Sequence, residues 1–102
     1  MKILLHGDTM SVSDITELAT SSVGSFRSEL SALPSGVKQI EIDLAHTDFV
    51  DCTGLGALVS LWKTAGGHNG AIRIRVINPP QMVQRMWSLL RLDRVFPIDG
   101  TS

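Results

Sequence analysis

The amino-acid sequence predicts an α/β fold of two layers, in which a mostly parallel β-sheet carries helices packed on one face. Residues 38–44 (KQIEIDL) and 71–77 (AIRIRVI) alternate apolar and charged residues with the period of a strand. The predicted order is strand, helix, strand, helix, strand, helix, strand, which is typical of a parallel sheet with right-handed crossovers. A sheet covered on both faces has continuously apolar strands, so the alternating charge indicates helices on one face alone.

The first third of the chain is predicted to contain one short strand and one long helix. Residues 2–6 form the strand. Residues 11–33 are expected to be an amphipathic helix, because Ser11 or Ser13 can cap it and apolar residues recur at steps of three and four. Those apolar residues are Ile15, Leu18, Ala19, Val23, Phe26, Leu30 and Leu33, and Pro34-Ser35-Gly36 is expected to end the helix.

The two alternating strands carry opposite charges on their second face. Glu41 and Asp43 lie on the first of them, and Arg73 and Arg75 lie on the second. If the strands are neighbours, these four side chains share the open face and favour the register, each pair contributing about 0.2–1 kcal/mol. The alternative is ordinary surface charge.

Two more helices and a final strand complete the predicted fold. Residues 53–66 have a wide apolar stripe and a narrow polar face formed by Gly56, Ser60, Lys63 and Thr64. Asn78-Pro79-Pro80 is expected to open a third helix. Its predicted apolar lining is Met82, Val83, Met86, Leu89 and Leu90, and residues 95–98 (VFPI) are expected to form a last edge strand.

Composition excludes several functional classes. The 102 residues fit one domain over residues 1–102, and the formal net charge of -1 without a Lys or Arg run gives no drive toward nucleic acid. No apolar window reaches the ~18–20 residues of a membrane span. A single cysteine forms neither an internal disulfide nor a multi-cysteine metal site. We therefore expect a cytoplasmic domain without metal, cofactor or membrane insertion.

Few residues have the pattern of an enzyme active site. The three histidines are isolated, and none has metal-ligand spacing. Residues 66–70 (GGHNG) lack the Gly-Lys-Ser/Thr ending of a phosphate loop and follow a helix, so they predict a plain turn. Trp62 and Trp87 lie at core spacing and are interpreted as packing residues. No catalytic residue is predicted.

Cys52 lies at a strand-to-helix turn within FVDCTGLGAL, residues 49–58. Free backbone N–H groups at a helix start favour negative charge such as a thiolate or a phosphate, whereas Asp51 beside it opposes a thiolate. Two interpretations stay open at this point. The position is functional, or Asp51, Cys52 or Thr53 merely caps the helix.

Residues 37–98 resemble the STAS domain family, named for sulphate transporters and anti-sigma factor antagonists. The family centre reads Ile-Asp-Leu, a spacer, then Phe-hydrophobic-Asp-Ser-Ser/Thr-Gly-Leu-Gly. The matching residues are Ile42, Asp43, Leu44, Phe49, Asp51, Thr53, Gly54, Leu55 and Gly56, then Val76-Ile77-Asn78-Pro79 and residues 92–98. The family fold, a right-handed β/α superhelix with helices on one face, agrees with the two layers inferred above.

The resemblance implies a switch protein in transcription regulation that is not an enzyme. Unphosphorylated stand-alone members bind a serine kinase that doubles as an anti-sigma factor, and the sigma factor is released. The kinase phosphorylates the residue directly after the Asp, and the complex dissociates because about −1.5 to −2 charges are added at the contact. In this chain that position is Cys52, which such a kinase cannot phosphorylate in the usual way. Thr53 carries a hydroxyl one residue later.

The same resemblance assigns partner binding to one surface, the loop from Phe49 to Gly54 plus the polar face of the second helix. The residues concerned are Phe49, Asp51, Cys52, Thr53, Gly54, Gly56 and Ser60, with Asp8 of the family's first turn expected nearby. Gly56 and Ser60 are small, so they admit close approach of a partner or are simply solvent-facing.

Cys52 is predicted to mimic the unphosphorylated state. The protein is then a permanently competent binder, or one controlled by thiol oxidation. The alternative function is a cytoplasmic accessory subunit of an ABC lipid transporter, which binds its ATPase subunit at the same position without phosphorylation. The partner's identity, weak homo-oligomerisation and nucleotide binding stay open. A thiol enzyme is disfavoured because no histidine lies close in sequence to serve as its base.

Overall fold

The computed structural model describes residues 1–30, 36–66, 72–96 and 98–99. The predicted positions Leu33, Pro34-Ser35, 67–71 and Pro97 lie outside these residues. In chain order the described elements are β1 (Lys2–His6), β2 (Thr9–Ser13), β3 (Glu17–Leu18), α1 (Val23–Leu30), β4 (Gln39–Asp43), β5 (Phe49–Val50), α2 (Cys52–Thr64), β6 (Arg73–Ile77), α3 (Gln81–Leu89) and a 3-10 turn (Leu92–Arg94).

The main sheet has four strands in the order β1-β2-β4-β6. β1 pairs antiparallel with β2, whereas β2, β4 and β6 are parallel, and β3 forms a separate parallel pair with β5. On one face of β2, β4 and β6 the apolar side chains are buried, and the side chains of the other face are partly or fully exposed. The predicted two-layer α/β fold, with a mostly parallel sheet and helices on one face, is confirmed.

The long helix predicted from Ser11 or Ser13 is wrong in its first half. Residues 9–13 form β2, in which Met10 and Val12 are buried and their neighbours are partly buried. Asp14 has a positive φ of 54°, which ends the strand. Met10 and Val12 lie two residues apart, which is the spacing of a strand, and neither belongs to the apolar series that predicted the helix. The capping signals of serine and aspartate were therefore misleading there.

The later helices agree with the sequence more closely than the final strand does. α2 and α3 lie where they were predicted, but three predicted lining residues of α3 are exposed, with Met82 at 45%, Leu89 at 80% and Leu90 at 50%. The predicted strand at 95–98 is wrong for its described residues. Val95 and Phe96 instead donate backbone hydrogen bonds to the carbonyl of Leu92.

The core beneath α3 is organised around Trp87, which is fully buried. Its Nε1–H donates to the carbonyl oxygen of Phe96 at 2.9 Å, so burial leaves no indole donor unpaired. The Phe96 ring meets Trp87 edge-on at a centroid distance of 5.0 Å and stacks on Trp62 at 5.7 Å. The interpretation of both tryptophans as packing residues is confirmed.

The open face of the sheet carries the predicted charge pairing in part. β4 and β6 are neighbours, and Glu41 lies opposite Arg75. The guanidinium of Arg75 lies 4.0 Å from the Glu41 carboxylate and 3.4 Å from that of Asp99. Asp43 instead accepts a hydrogen bond from the amide of Asn78 at 3.3 Å. Exposed pairs of this kind favour the register and contribute up to about 1 kcal/mol.

Candidate functional site

Asp51 caps the first turn of α2. Its backbone is extended, and its Oδ1 accepts a hydrogen bond from the backbone N–H of Gly54 at 2.9 Å. A carboxylate at this position satisfies one unpaired N–H group and complements the positive end of the helix dipole. Among the three capping residues that the sequence left open, Asp51 is therefore the cap, and Cys52 is the first residue of the helix.

The second carboxylate oxygen of Asp51 binds the turn that follows β3. Oδ2 accepts hydrogen bonds from the backbone N–H and the hydroxyl of Thr20, each at 3.1 Å. The N–H of Asp51 donates in turn to the carbonyl of Leu18 at 3.3 Å. One aspartate thus joins the start of α2 to a turn that lies 31 residues earlier in the chain.

These hydrogen bonds hold the pKa of the Asp51 carboxyl below its ordinary value. The backbone N–H of Thr20 lowers the pKa most, and the backbone N–H of Gly54 lowers it next, because both stabilise the charged form. Partial desolvation acts in the opposite direction and is outweighed. Asp51 is therefore a fixed negative charge beside Cys52 at neutral pH.

Gly54 is required by the close approach of α2 to β3. A Cβ at this position would lie 1.8 Å from the carbonyl oxygen of Leu18, which is backbone and cannot rotate away. Gly54 is buried, and Leu18 is fully buried beside it. The structure therefore gives this glycine a packing role, and it is not exposed to a partner.

Cys52 and Thr53 are both exposed at the start of α2. The hydroxyl oxygens of Thr53 and Thr20 lie 3.2 Å apart. A hydroxyl has one proton and the carboxylate of Asp51 has none to donate, so Thr20 donates to Asp51 and Thr53 donates to Thr20. The Thr53 hydroxyl is thus committed to this chain of hydrogen bonds. Among the described residues, the Cys52 thiol has no such contact.

Phe49 is an exposed aromatic residue with acidic neighbours. Its side chain is 53% exposed, and it lies opposite Glu17 in the β3–β5 pair. Asp48 precedes it and Asp51 follows two residues later. The Phe49 ring therefore exposes apolar area at this surface, and aromatic residues are enriched at protein interfaces.

The polar face of α2 continues this surface. Gly56 is exposed, and a Cβ placed there would meet nothing within 4 Å. Ser60, one turn further along the helix, is partly buried and lines a groove of about 270 Å³ between α1 and α2. The groove is lined by Phe26, Arg27, Leu30, Ala57, Ser60, Leu61 and Thr64. Packing within the described residues does not require glycine at position 56.

Asp8 is not brought together with the other predicted site residues. It lies in the β1–β2 turn, and its carbonyl accepts hydrogen bonds from the N–H groups of Lys38 and Gln39 at the start of β4. Cys52 lies beyond the other end of the parallel strands, after β5. The expectation that Asp8 lies near Cys52 is corrected by this topology.

Leu18 and Thr20 contact the candidate site, although the sequence does not predict this for either residue. The sequence predicts both within a long helix, with Leu18 on its apolar face. Their function in the site depends on a contact across more than thirty residues, which no local pattern reports. The position of Glu17 opposite Phe49 was not predicted for the same reason.

Within the described ranges there is neither a cluster of metal-ligating side chains nor a helix able to cross a membrane. No group of three or more His, Cys, Asp or Glu side chains there could hold a metal ion. No helix within those ranges has the length and apolar character needed to cross a membrane.

The family model of the STAS domain matches residues 5–102, so the chain belongs to the STAS domain family. A candidate anti-sigma factor antagonist of Thermotoga maritima, TM1081, is similar in structure, with a TM-score of 0.79 and 22% identity over 95% of this chain and 83% of that chain. Unphosphorylated SpoIIAA, an anti-sigma factor antagonist, matches with a TM-score of 0.72 and 17% identity over 97% of this chain and 87% of that one.

Phosphorylated SpoIIAA, a cell fate determinant of Bacillus, has a TM-score of 0.67 and 16% identity over 97% of this chain and 90% of its own. At these identities the solved structures establish a shared fold. Among curated proteins no significant match was found.

Proposed function

We propose that this chain is a STAS regulatory module of the anti-sigma factor antagonist type, which binds a combined anti-sigma factor and serine kinase in a partner-switching pathway. The proposed docking surface comprises Phe49, Cys52, Thr53, Gly56 and Ser60. The observation that carries the proposal is that exposed residues, an aromatic ring among them, surround a rigidly held helix start. Asp51 and Gly54 support this surface, Asp51 as the cap and Gly54 as the close-packed residue.

Cys52 takes the place of the switching hydroxyl. Its side chain is exposed at the first position of α2, directly after the Asp51 cap. A serine there would be accessible to a kinase, and a phosphoryl group would add charge beside the carboxylate of Asp51. A thiol is close to a hydroxyl in size but does not accept that phosphoryl group. The proposed protein therefore stays in the binding-competent state.

Thr53 is a poorer switch position than Cys52. Phosphorylation of its hydroxyl would break its hydrogen bond to Thr20. The new phosphate would also lie beside the Asp51 carboxylate that caps the helix, where like charges repel. Both effects disfavour the phosphorylated form of Thr53.

A second function is favoured by the missing hydroxyl. An accessory subunit of an ABC lipid transporter binds its ATPase at the corresponding surface and needs no phosphorylation there. For this class Cys52 is a contact residue rather than an altered switch. The two functions differ in the partner and share the docking surface.

Affinity capture from an extract of the source cells, with the partner identified by mass spectrometry, tests the proposal. We expect the wild-type chain to retain a serine kinase, Cys52→Glu to lose it through added charge, and Leu5→Glu to retain it. Leu5 is the control because it is also exposed (53%) and lies on β1, away from α2 in the chain. Capture of an ATPase subunit instead would support the accessory function.

Incubation of the captured complex with ATP tests the role of Cys52. We expect no phosphate on the wild-type chain, and phosphorylation followed by release for Cys52→Ser. Stoichiometric phosphate on Thr53 of the wild-type chain would refute the permanent-binder proposal. Mild peroxide that weakens partner binding of the wild type but not of Cys52→Ala would assign control to thiol oxidation.

A further inference from the structure

One side of α3 carries an apolar stripe in which Met86 is partly buried against the core and Met82, Leu89 and Leu90 are exposed. Met82, Met86 and Leu89 recur at positions i, i+4 and i+7, so they lie in one row along the helix, and Leu90 follows at its end. Leu89 is 80% exposed, the highest exposure among the large apolar side chains that the structure describes. We name these four residues the α3 stripe.

The charges beside the α3 stripe are positive. Arg85 lies on the helix between the apolar residues, and Arg91 and Arg94 follow directly after it. The single acidic residue of the segment from 81 to 96 is Asp93. Among the described residues, the ion pairs are those of Arg75, and none of these three arginines takes part in one. A chain of net charge -1 thus concentrates cations next to an apolar row.

We propose that the α3 stripe is a second docking surface, which binds an acidic amphipathic helix of a protein partner. A row at i, i+4 and i+7 is the spacing by which a helix presents one apolar face to a partner. Carboxylates along the edges of that helix would meet Arg85, Arg91 and Arg94, so charge and shape favour the same occupant. Neither the cap nor the thiol at the start of α2 takes part.

A second copy of the chain and a membrane surface fit the α3 stripe less well than an acidic helix does. A second copy of the chain would bring its own arginines against these three, and like charges at an interface are unfavourable. Helices that lie on membranes have a polar face rich in Lys and Arg and an apolar face of tryptophan, phenylalanine or leucine. Within α3 itself Arg85 is the one basic residue. Trp87 of α3 is fully buried, and its Nε1–H is bound to the carbonyl of Phe96, so it is not available to lipid.

Fluorescence anisotropy with two synthetic helical peptides tests the proposal. Both carry leucine at i, i+4 and i+7, and the flanking positions hold glutamate in one and lysine in the other. We expect the glutamate peptide to bind and the lysine peptide not to bind. Leu89→Glu and Arg85→Glu should each weaken binding at least ~10-fold, whereas Leu5→Glu, the same exchange at an exposed leucine of β1, should leave it unchanged.

Equal binding of both peptides, binding of neither, or an equal loss with Leu5→Glu would overturn the proposal. It would also be overturned by a concentration-dependent dimer that Leu89→Glu abolishes, which assigns the face to a second copy. Binding to vesicles of anionic lipid that the same variant abolishes assigns it to a membrane and overturns it too. Cys52→Glu should bind the peptide normally, so this test is independent of the function proposed for α2.

Discussion

Replacing Gly54 with alanine should destabilise the protein, although alanine is the better helix former. The new Cβ would lie 1.8 Å from the carbonyl oxygen of Leu18 and 3.1 Å from its Cγ. Non-bonded heavy atoms prefer separations of ~3.5–4.0 Å, so α2 and β3 must move apart by more than about 1 Å. That movement also stretches the hydrogen bonds from Thr20 to Asp51.

Two opposing terms set the change in the free energy of unfolding of Gly54→Ala. Overpacking of this kind costs about 1–3 kcal/mol and occasionally more, and the contact with rigid backbone indicates the upper end. The gain in helix propensity from glycine to alanine returns about 1 kcal/mol. We expect a net loss of roughly 2 kcal/mol in the free energy of unfolding, which lowers Tm by roughly 10 °C for a domain of this size.

Gly56 is the matched control, two residues along the same helix. Its Cβ would meet nothing within 4 Å, so Gly56→Ala should gain about 0.5–1 kcal/mol from helix propensity alone. Urea and thermal unfolding followed by circular dichroism measure both variants, with an unchanged m-value as the check on two-state behaviour. If Gly54→Ala is as stable as the wild type, or if both variants shift in the same direction, the close contact with Leu18 is refuted.

Three further predictions follow from the hydrogen bonds. Because the folded pKa of Asp51 lies below its unfolded value, its contribution to stability is complete above about pH 4 and is lost as the pH falls through the folded pKa. In Asp51→Asn the urea midpoint of unfolding should fall less steeply as the pH is lowered. A fall as steep as that of the wild type would contradict this prediction. Thr20→Val removes the hydroxyl donor and should raise the Asp51 pKa in an NMR titration, whereas an unmoved pKa would argue against that bond. Trp87→Phe leaves the Phe96 carbonyl unpaired and should cost about 1–3 kcal/mol by urea unfolding, and a loss near zero would exclude this role.

The sequence predicts the fold best where the apolar residues recur with the period of a strand or of a helix, but not with both. Residues 39–43 alternate apolar and charged side chains, and the structure places a strand there with the predicted faces. Between Met10 and Leu30 only the step from Met10 to Val12 has a strand period, whereas the later apolar residues recur at helical steps. Serine and aspartate suit turns as well as caps, so the choice between the two periods depended on tertiary pairing with β4.

The exposed face of α3 was mispredicted for a different reason. Apolar residues at helical spacing indicate that one face is apolar, but they do not say which part of a wide apolar face is covered. Val83 and Trp87 direct α3 toward the core, which leaves Met82 and Leu89 on the opposite flank. A helix with more apolar residues than the core can cover carries the surplus on its surface.

The candidate site was predicted where its residues are contiguous and missed where it depends on a distant contact. The hydrophobic–Asp–x–Thr–Gly stretch indicated the cap and the helix start. The reason for Gly54 is the carbonyl of Leu18, and the second partner of Asp51 is Thr20, which lies 31 residues away. The local pattern indicates that Asp51 and Gly54 have a particular role, and the packing of β3 against α2 explains what that role is.

At the start of α2, the residues that hold the backbone in place are different from the residue proposed as the switch position. Asp51, Gly54, Leu18 and Thr20 fix the geometry through a cap, a close backbone contact and two shared hydrogen bonds. Cys52 lies between the first two of these residues in sequence, yet its side chain is exposed and contributes to none of those contacts. An exchange of hydroxyl for thiol at this position therefore changes what can be attached to the surface without changing the surface itself. This separation is why a chain with a thiol in place of a hydroxyl at position 52 retains every contact that positions the proposed docking surface.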